Sequence, residues 1–195
     1  MGRVQTLGAG PLVLVVGELL LVVCSACYLV WWSVTYRPAG RAPFHGGPFL
    51  AGAVLAGLGG IVLLGVGIAV LLPRASGLAV AATVVGGVLV GALLIHVTST
   101  YAHRPVTTEL PLIVLWTTAQ VAAGVALRSA GMLDRPAALF WFAATAIAAL
   151  VGLACYLVFY RLAPVPAYWV GMLPLAFDGV VAALLAAVVA LTRAT

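Results

Sequence analysis

Two carboxylates, Glu18 and Asp178, sit near the middle of the first and last long apolar runs of this 195-residue chain. A charge at such a depth costs roughly 2.5 to 3.5 kcal/mol on insertion scales, so an intramembrane acid points to function. Only four acidic residues are present, and two of them fall in these runs. Burial disfavours the ionised form of a carboxyl, which lets such a group keep its proton and act as a general acid. At a rise of 1.5 Å per residue, Glu18 lies about 5 Å to the N-terminal side of its run's midpoint and Asp178 about 2 Å to the other side of its own. If the first and last spans are neighbours, the two carboxyls face one cavity at similar depth. Asp178, nearer the midplane, is expected to be the more desolvated and therefore the initiating acid. The alternative is that each acid is hydrogen-bonded or neutral and fixes helix packing.

Steps of seven return to nearly the same helical face, so Glu18, Ser25 and Trp32 form one stripe on the first span. On the last span Gly171, Pro174 and Asp178 share a face, and Pro174 is expected to kink the helix beside the acid. Thr117, Thr118 and Gln120 add polar groups to the fourth span; most such residues bridge helices, and Gln120 is a candidate for the cavity wall. The aromatic residues crowd toward the side away from the N-terminus, while Phe140, Trp141 and Phe142 form the main cluster opposite. Interfacial belts normally occupy both faces, so the excess suggests a cavity mouth on one side. The expected substrate-binding wall is Ser25, Tyr28, Trp32, Trp116, Gln120, Tyr156 and Trp169.

His96, Thr98, Ser99, Thr100, Tyr101, His103, Arg104 and Glu109 make the most polar stretch. They read either as a solvated loop with interfacial anchors or as a headgroup or phosphate clamp centred on His96, His103 and Arg104. Haem ligation lacks a second histidine within a span, and no metal site or cofactor is expected. Cys24 and Cys27 form a C-x-x-C, reminiscent of quinone-linked thiol oxidases, and Cys155 lies at nearly the depth of Cys27. Those enzymes need a second cysteine pair, and this chain has three cysteines; small apolar filler is the expected role.

The elements that must position these groups follow from composition. With 65% hydrophobic residues, 7% charged residues and a mean hydropathy of +1.26, the chain has too little polar surface to cover a water-soluble globule. Six runs suit a hydrocarbon core that needs about 20 residues of helix: 11–32, 49–72, 77–97, 110–127, 137–160 and 167–192. The fold class is therefore an all-α polytopic membrane bundle, with residues 1–195 as one domain. The first run is read as a retained span, being too long for a leader's apolar region, containing Glu18 and lacking a small-x-small cleavage site. The connection from Ser33 to Pro48 is rich in Pro and Gly and reads as turns, with a lid over the bundle as one use.

The glycine-crowded second and third spans are assigned to scaffold, packing closely within the bundle or between copies in a homo-oligomer. All nine basic residues are arginine. Arg3, Arg74, Arg128, Arg135 and Arg193 fall on the N-terminal side, against Arg37, Arg41, Arg104 and Arg161 opposite, which by a margin of one favours cytoplasmic termini. The net charge of +5 is spread along membrane edges, implying lipid contact and no nucleic-acid partner. Richness in Ala, Gly, Val and Arg suggests a high-GC bacterium and hence its inner membrane.

Two carboxylates among aromatic rings suit protonation of an alkene or epoxide, with the rings stabilising the cation and the second acid or a water removing a proton. No Asp-rich or Asn/Ser/Glu magnesium motif is present for metal-driven ionisation of a diphosphate. In this layout the chain resembles the small integral membrane terpene cyclases, which place a Glu in an early span and an Asp in the last. The fungal members carry one more span and place the Glu in the second. The resemblance implies a lipophilic isoprenoid-type substrate, with Glu18 and Asp178 as catalytic residues. A proton-coupled transporter or a substrate-binding subunit of a larger importer is the second function class, and a structural or assembly subunit the third.

Overall fold

Helix starts in this chain carry ordinary start signals. Ser76 and Asp134 stand as N-caps, their side chains accepting from Ala79 N at 3.3 Å and Ala137 N at 2.8 Å, and Pro48 and Pro136 occupy first turns. The computed structural model describes residues 9–37, 45–73, 75–101 and 107–191. These form six helices and no strand: α1 Ala9–Thr35, α2 Gly47–Leu71, α3 Gly77–Thr100, α4 Glu109–Ser129, α5 Arg135–Phe159 and α6 Pro164–Leu191. Every expected span is there, with no end displaced by more than three residues. All six are long and apolar enough to cross a membrane, so the protein is an all-α, multi-pass membrane bundle. Between α4 and α5 the turn is closed by Gly131 at φ 75°, with Met132 N donating to Leu127 O at 2.9 Å.

Neighbours in the bundle run α1, α2, α4, α5, α6 and back to α1, a closed ring of five helices with α3 packed on α4. The first and last spans are thus adjacent. Glycine sets how closely the helices approach. A Cβ on Gly60 would lie 2.8 Å from Leu21 Cδ2 and 3.0 Å from Gly17 O, and one on Gly67 would lie 2.6 Å from Leu14 Cδ2. Because Gly60 and Gly67 are seven residues apart, they form a small-residue seam on α2 into which α1 nests. On α3, Gly87 receives Thr118 and Gly91 receives Val114 of α4, so the scaffold role of these glycines lies within one chain.

Burial is lopsided. The buried residues of α1 run from Gly10 to Leu21, and those of α6 from Val181 to Val189. Nothing later in α1 or earlier in α6 is buried. These two helices are therefore closely packed at the N-terminal end of α1 and the C-terminal end of α6, and loosen toward their aromatic halves. Most of the candidate lid, residues 38–44, lies outside the described residues, as do His103 and Arg104.

Candidate functional site

Each ring helix turns a stripe with alternating steps of three and four toward its neighbours, and Glu18, Gln120, Thr145 and Asp178 sit on these stripes. On α1 the stripe reads Leu14, Glu18, Leu21, Ser25, Tyr28, Trp32; on α6 it reads Gly171, Asp178, Ala182, Leu185, Val189. The antiparallel register of the two is fixed by glycine. Trp32 packs where a side chain on Gly171 would be, and a Cβ on Gly179 would lie 3.0 Å from Ser25 Cβ. Asp178 is therefore level with Ser25, and Glu18 lies seven residues further along α1, about 10 Å deeper at 1.5 Å per residue. The carboxyls share a helix pair but occupy two levels.

Glu18 is fully buried, and Gln120 of α4, also fully buried, donates from Nε2 to Glu18 Oε2 at 2.9 Å across the ring. Glu18 Oε1 and Gln120 Oε1 are buried without a hydrogen-bond partner. Trp141 of α5 secures this level, donating from Nε1 to the backbone carbonyl of Gln120 at 2.8 Å, while Thr145 Oγ1 donates to Trp141 O at 2.9 Å. Trp141, expected in an interfacial cluster, is instead 0% exposed. Its burial depends on Gly124, where a Cβ would lie 2.7 Å from Trp141 Cδ1. Trp141, Thr145 and Gly124 were not readable as site residues; the one available signal was a donor-bearing indole lying four residues before a threonine on an inward stripe.

Asp178 is only half-buried. Counting depth along the helix ranked it as the more desolvated acid, but packing reverses that order, because α6 is closely packed only from Val181 onward. The helix runs on through Pro174, one turn above Asp178; the missing N–H of this proline leaves the Val170 carbonyl, a further turn along, without its usual helical donor.

Above Asp178 the aromatic rings form a connected set. Tyr28 meets Trp31 at 4.9 Å between centroids, Trp32 meets Phe159 of α5 at 6.1 Å, and Tyr156 meets Tyr160 at 6.2 Å. Trp32 Nε1 donates to Tyr168 O of α6 at 3.2 Å. Of the expected wall, Ser25, Tyr28, Trp32 and Tyr156 gather along this end. Trp116 and Gln120 share a face of α4, with Trp116 packed against the core. Trp169 is 63% exposed, and His96 is exposed on α3, apart from the ring. Cys24 and Cys27 turn toward Gly57 and Gly52 of α2, and these two and Cys155 of α5 are all free thiols.

A groove of about 250 Å³ lies elsewhere, between α3, α4 and α5, lined by Thr83, Gly87, Ile113, Thr117, Thr118 and Leu153 among others. It reaches neither carboxyl, so it is not where acid–base chemistry would occur. Among the described residues no group of three or more His, Cys, Asp or Glu side chains is placed to hold a metal ion. No family model matches the chain, and no match was found among curated proteins or among solved structures.

Proposed function

We propose that the protein is a membrane-embedded enzyme acting on a lipophilic, isoprenoid-type substrate, with a proton from an intramembrane carboxyl starting a cyclisation. The observation that carries this reading is Glu18: a fully buried carboxyl with one oxygen unpaired, lying beneath the less buried, aromatic-rich halves of α1 and α6, which hold a second carboxyl. Glu18, the more buried, takes the part of the acid. It adds its proton to an alkene or epoxide, Tyr28 and Trp32 lie along the path of the resulting cation, and Asp178 or a water removes a proton at the close. One proton enters and one leaves, so the product is an isomer of the substrate. Access to Glu18 requires the α1–α6 contact at Gly171 and Gly179 to part. The resemblance to integral membrane terpene cyclases agrees with this assignment, and the setting proposed is the inner membrane of a bacterium with cytoplasmic termini. The bilayer and the lipophilic substrate are the partners, and a homo-oligomer is compatible with the exposed apolar face of α3.

The test is to incubate membranes containing wild type, Glu18→Gln or Asp178→Asn with prenylated substrates and their epoxides, and to analyse the products by mass spectrometry. A cyclised isomer of unchanged mass that both variants fail to make is the expected result. No conversion by folded wild-type protein sinks the proposal. The stacking of two carboxyls about 10 Å apart along one helix pair favours a second reading, a proton-coupled transporter or a substrate-binding subunit. Co-purification with an ATPase partner distinguishes it from an enzyme.

A further inference from the structure

The hydrogen bonds around Glu18 do not close if it is a carboxylate. An ionised carboxylate only accepts, and so does an amide oxygen. Glu18 Oε1 and Gln120 Oε1 are both buried and unpaired, and they belong to the two side chains already joined through Nε2 and Oε2. Buried acceptors of this kind are nearly always satisfied in folded proteins. Nor, among the described residues, is there a cation to balance a charge: Arg37, His45, His96, Arg128, Arg135 and Arg161 are all exposed. The other carboxyl of the spans, Asp178, lies two helical turns away and carries no balancing charge.

One proton settles both deficits. Placed on Glu18 Oε1, it is donated to Gln120 Oε1 while Gln120 Nε2 donates to Glu18 Oε2, closing an acid–amide ring with two parallel hydrogen bonds. Turning the amide over would set oxygen against Oε2 and again require one proton between them. We propose that Gln120 is a positioning residue that holds Glu18 as a carboxylic acid, its proton directed along the Glu18–Gln120 pair. Trp141 serves the same end one step back, since its indole holds the Gln120 carbonyl and so fixes where the amide can reach. That the held proton is delivered to a substrate rests on the enzyme reading; the acid–amide pair does not.

Infrared spectroscopy of the purified full-length protein in lipid at neutral pH reads the pair directly. The expected spectrum has a protonated-carboxyl carbonyl band that shifts down in D₂O, is lost in Glu18→Gln and persists in Asp178→Asn. In Gln120→Met the band moves to higher frequency, because the acid remains but loses its partner. Gln120→Asn, shorter by one methylene, gives the same upward shift should the methionine variant not fold. A mere packing role for Gln120 would leave the band where it is. The proposal is overturned if Glu18→Gln removes no such band, or if neither Gln120 variant moves it. A band behaving as expected in protein that converts no isoprenoid would leave the pair standing and remove the enzyme reading alone.

Discussion

The indole of Trp141 fills the space that a side chain at Gly124 would need, and from there it bonds to the carbonyl one turn earlier on α4. A methyl group at 124 would meet Trp141 Cδ1 at 2.7 Å and Nε1 at 2.9 Å, closer than real contacts allow. Gly124→Ala must therefore displace the indole or part α4 from α5. The expected loss is about 1–3 kcal/mol, the range for overpacking a closely packed interior. Gly65→Ala is the matched control, since a Cβ there meets nothing within 4 Å and alanine favours helix by up to about 1 kcal/mol. Unfolding in detergent micelles should separate the two, and equal stabilities would contradict the packing described.

The bond between Glu18 and Gln120 predicts a non-additive mutant cycle. Gln120→Leu leaves a buried carboxyl with no partner, a loss of about 1–3 kcal/mol. Replacing both residues with leucine removes the need for the partner as well as the partner. The double variant should therefore be more stable than the sum of the single effects implies, with a coupling on the order of 1 kcal/mol, as for hydrogen bonds between membrane helices. Strict additivity, measured by the same unfolding assay, would mean that the two side chains do not interact.

How much of this was legible in the sequence differs between fold and site. The spans were plain because about 20 apolar residues bounded by Gly, Pro and Arg have few other uses. The two levels of carboxyl were not, because depth along a single helix says nothing of the neighbour's register, which Gly171 and Gly179 set by admitting Trp32 and Ser25. Trp141 was misplaced for a related reason. In a helix that is apolar all round, hydropathy does not mark which face turns inward, so an indole near a helix end reads as an interfacial anchor although its N–H is spent on α4. Gln120 was visible as a polar residue in a span, whereas its partner across the ring was not.

The three cysteines should be dispensable. Cys24 Sγ lies 3.0 Å, and Cys27 Sγ 3.5 Å, from where side chains on Gly57 and Gly52 would begin, so both thiols are turned into the α1–α2 seam. Changing Cys24, Cys27 and Cys155 together to alanine should keep turnover within about twofold of wild type, with a stability loss of about 1 kcal/mol or less per site, since each change removes one small apolar atom. Loss of activity in the folded triple variant would revive a thiol mechanism.

That cysteine-free background permits a direct test of the α1–α6 seam as the way in. A Cβ at 179 lies 3.0 Å from Ser25 Cβ, somewhat inside the roughly 3.5–4.5 Å that a disulfide spans, so Ser25→Cys with Gly179→Cys should crosslink after a shift of about half an ångström. The bridge would close the contact immediately beside Asp178 and above Glu18. If substrate reaches the acid by parting these helices, oxidation should abolish turnover and a reductant should restore it, while either single cysteine stays active in both conditions. A crosslinked protein that still turns over would place the entrance elsewhere, and the groove between α3, α4 and α5, with Thr117 and Thr118 in its wall, would then be the next surface to block.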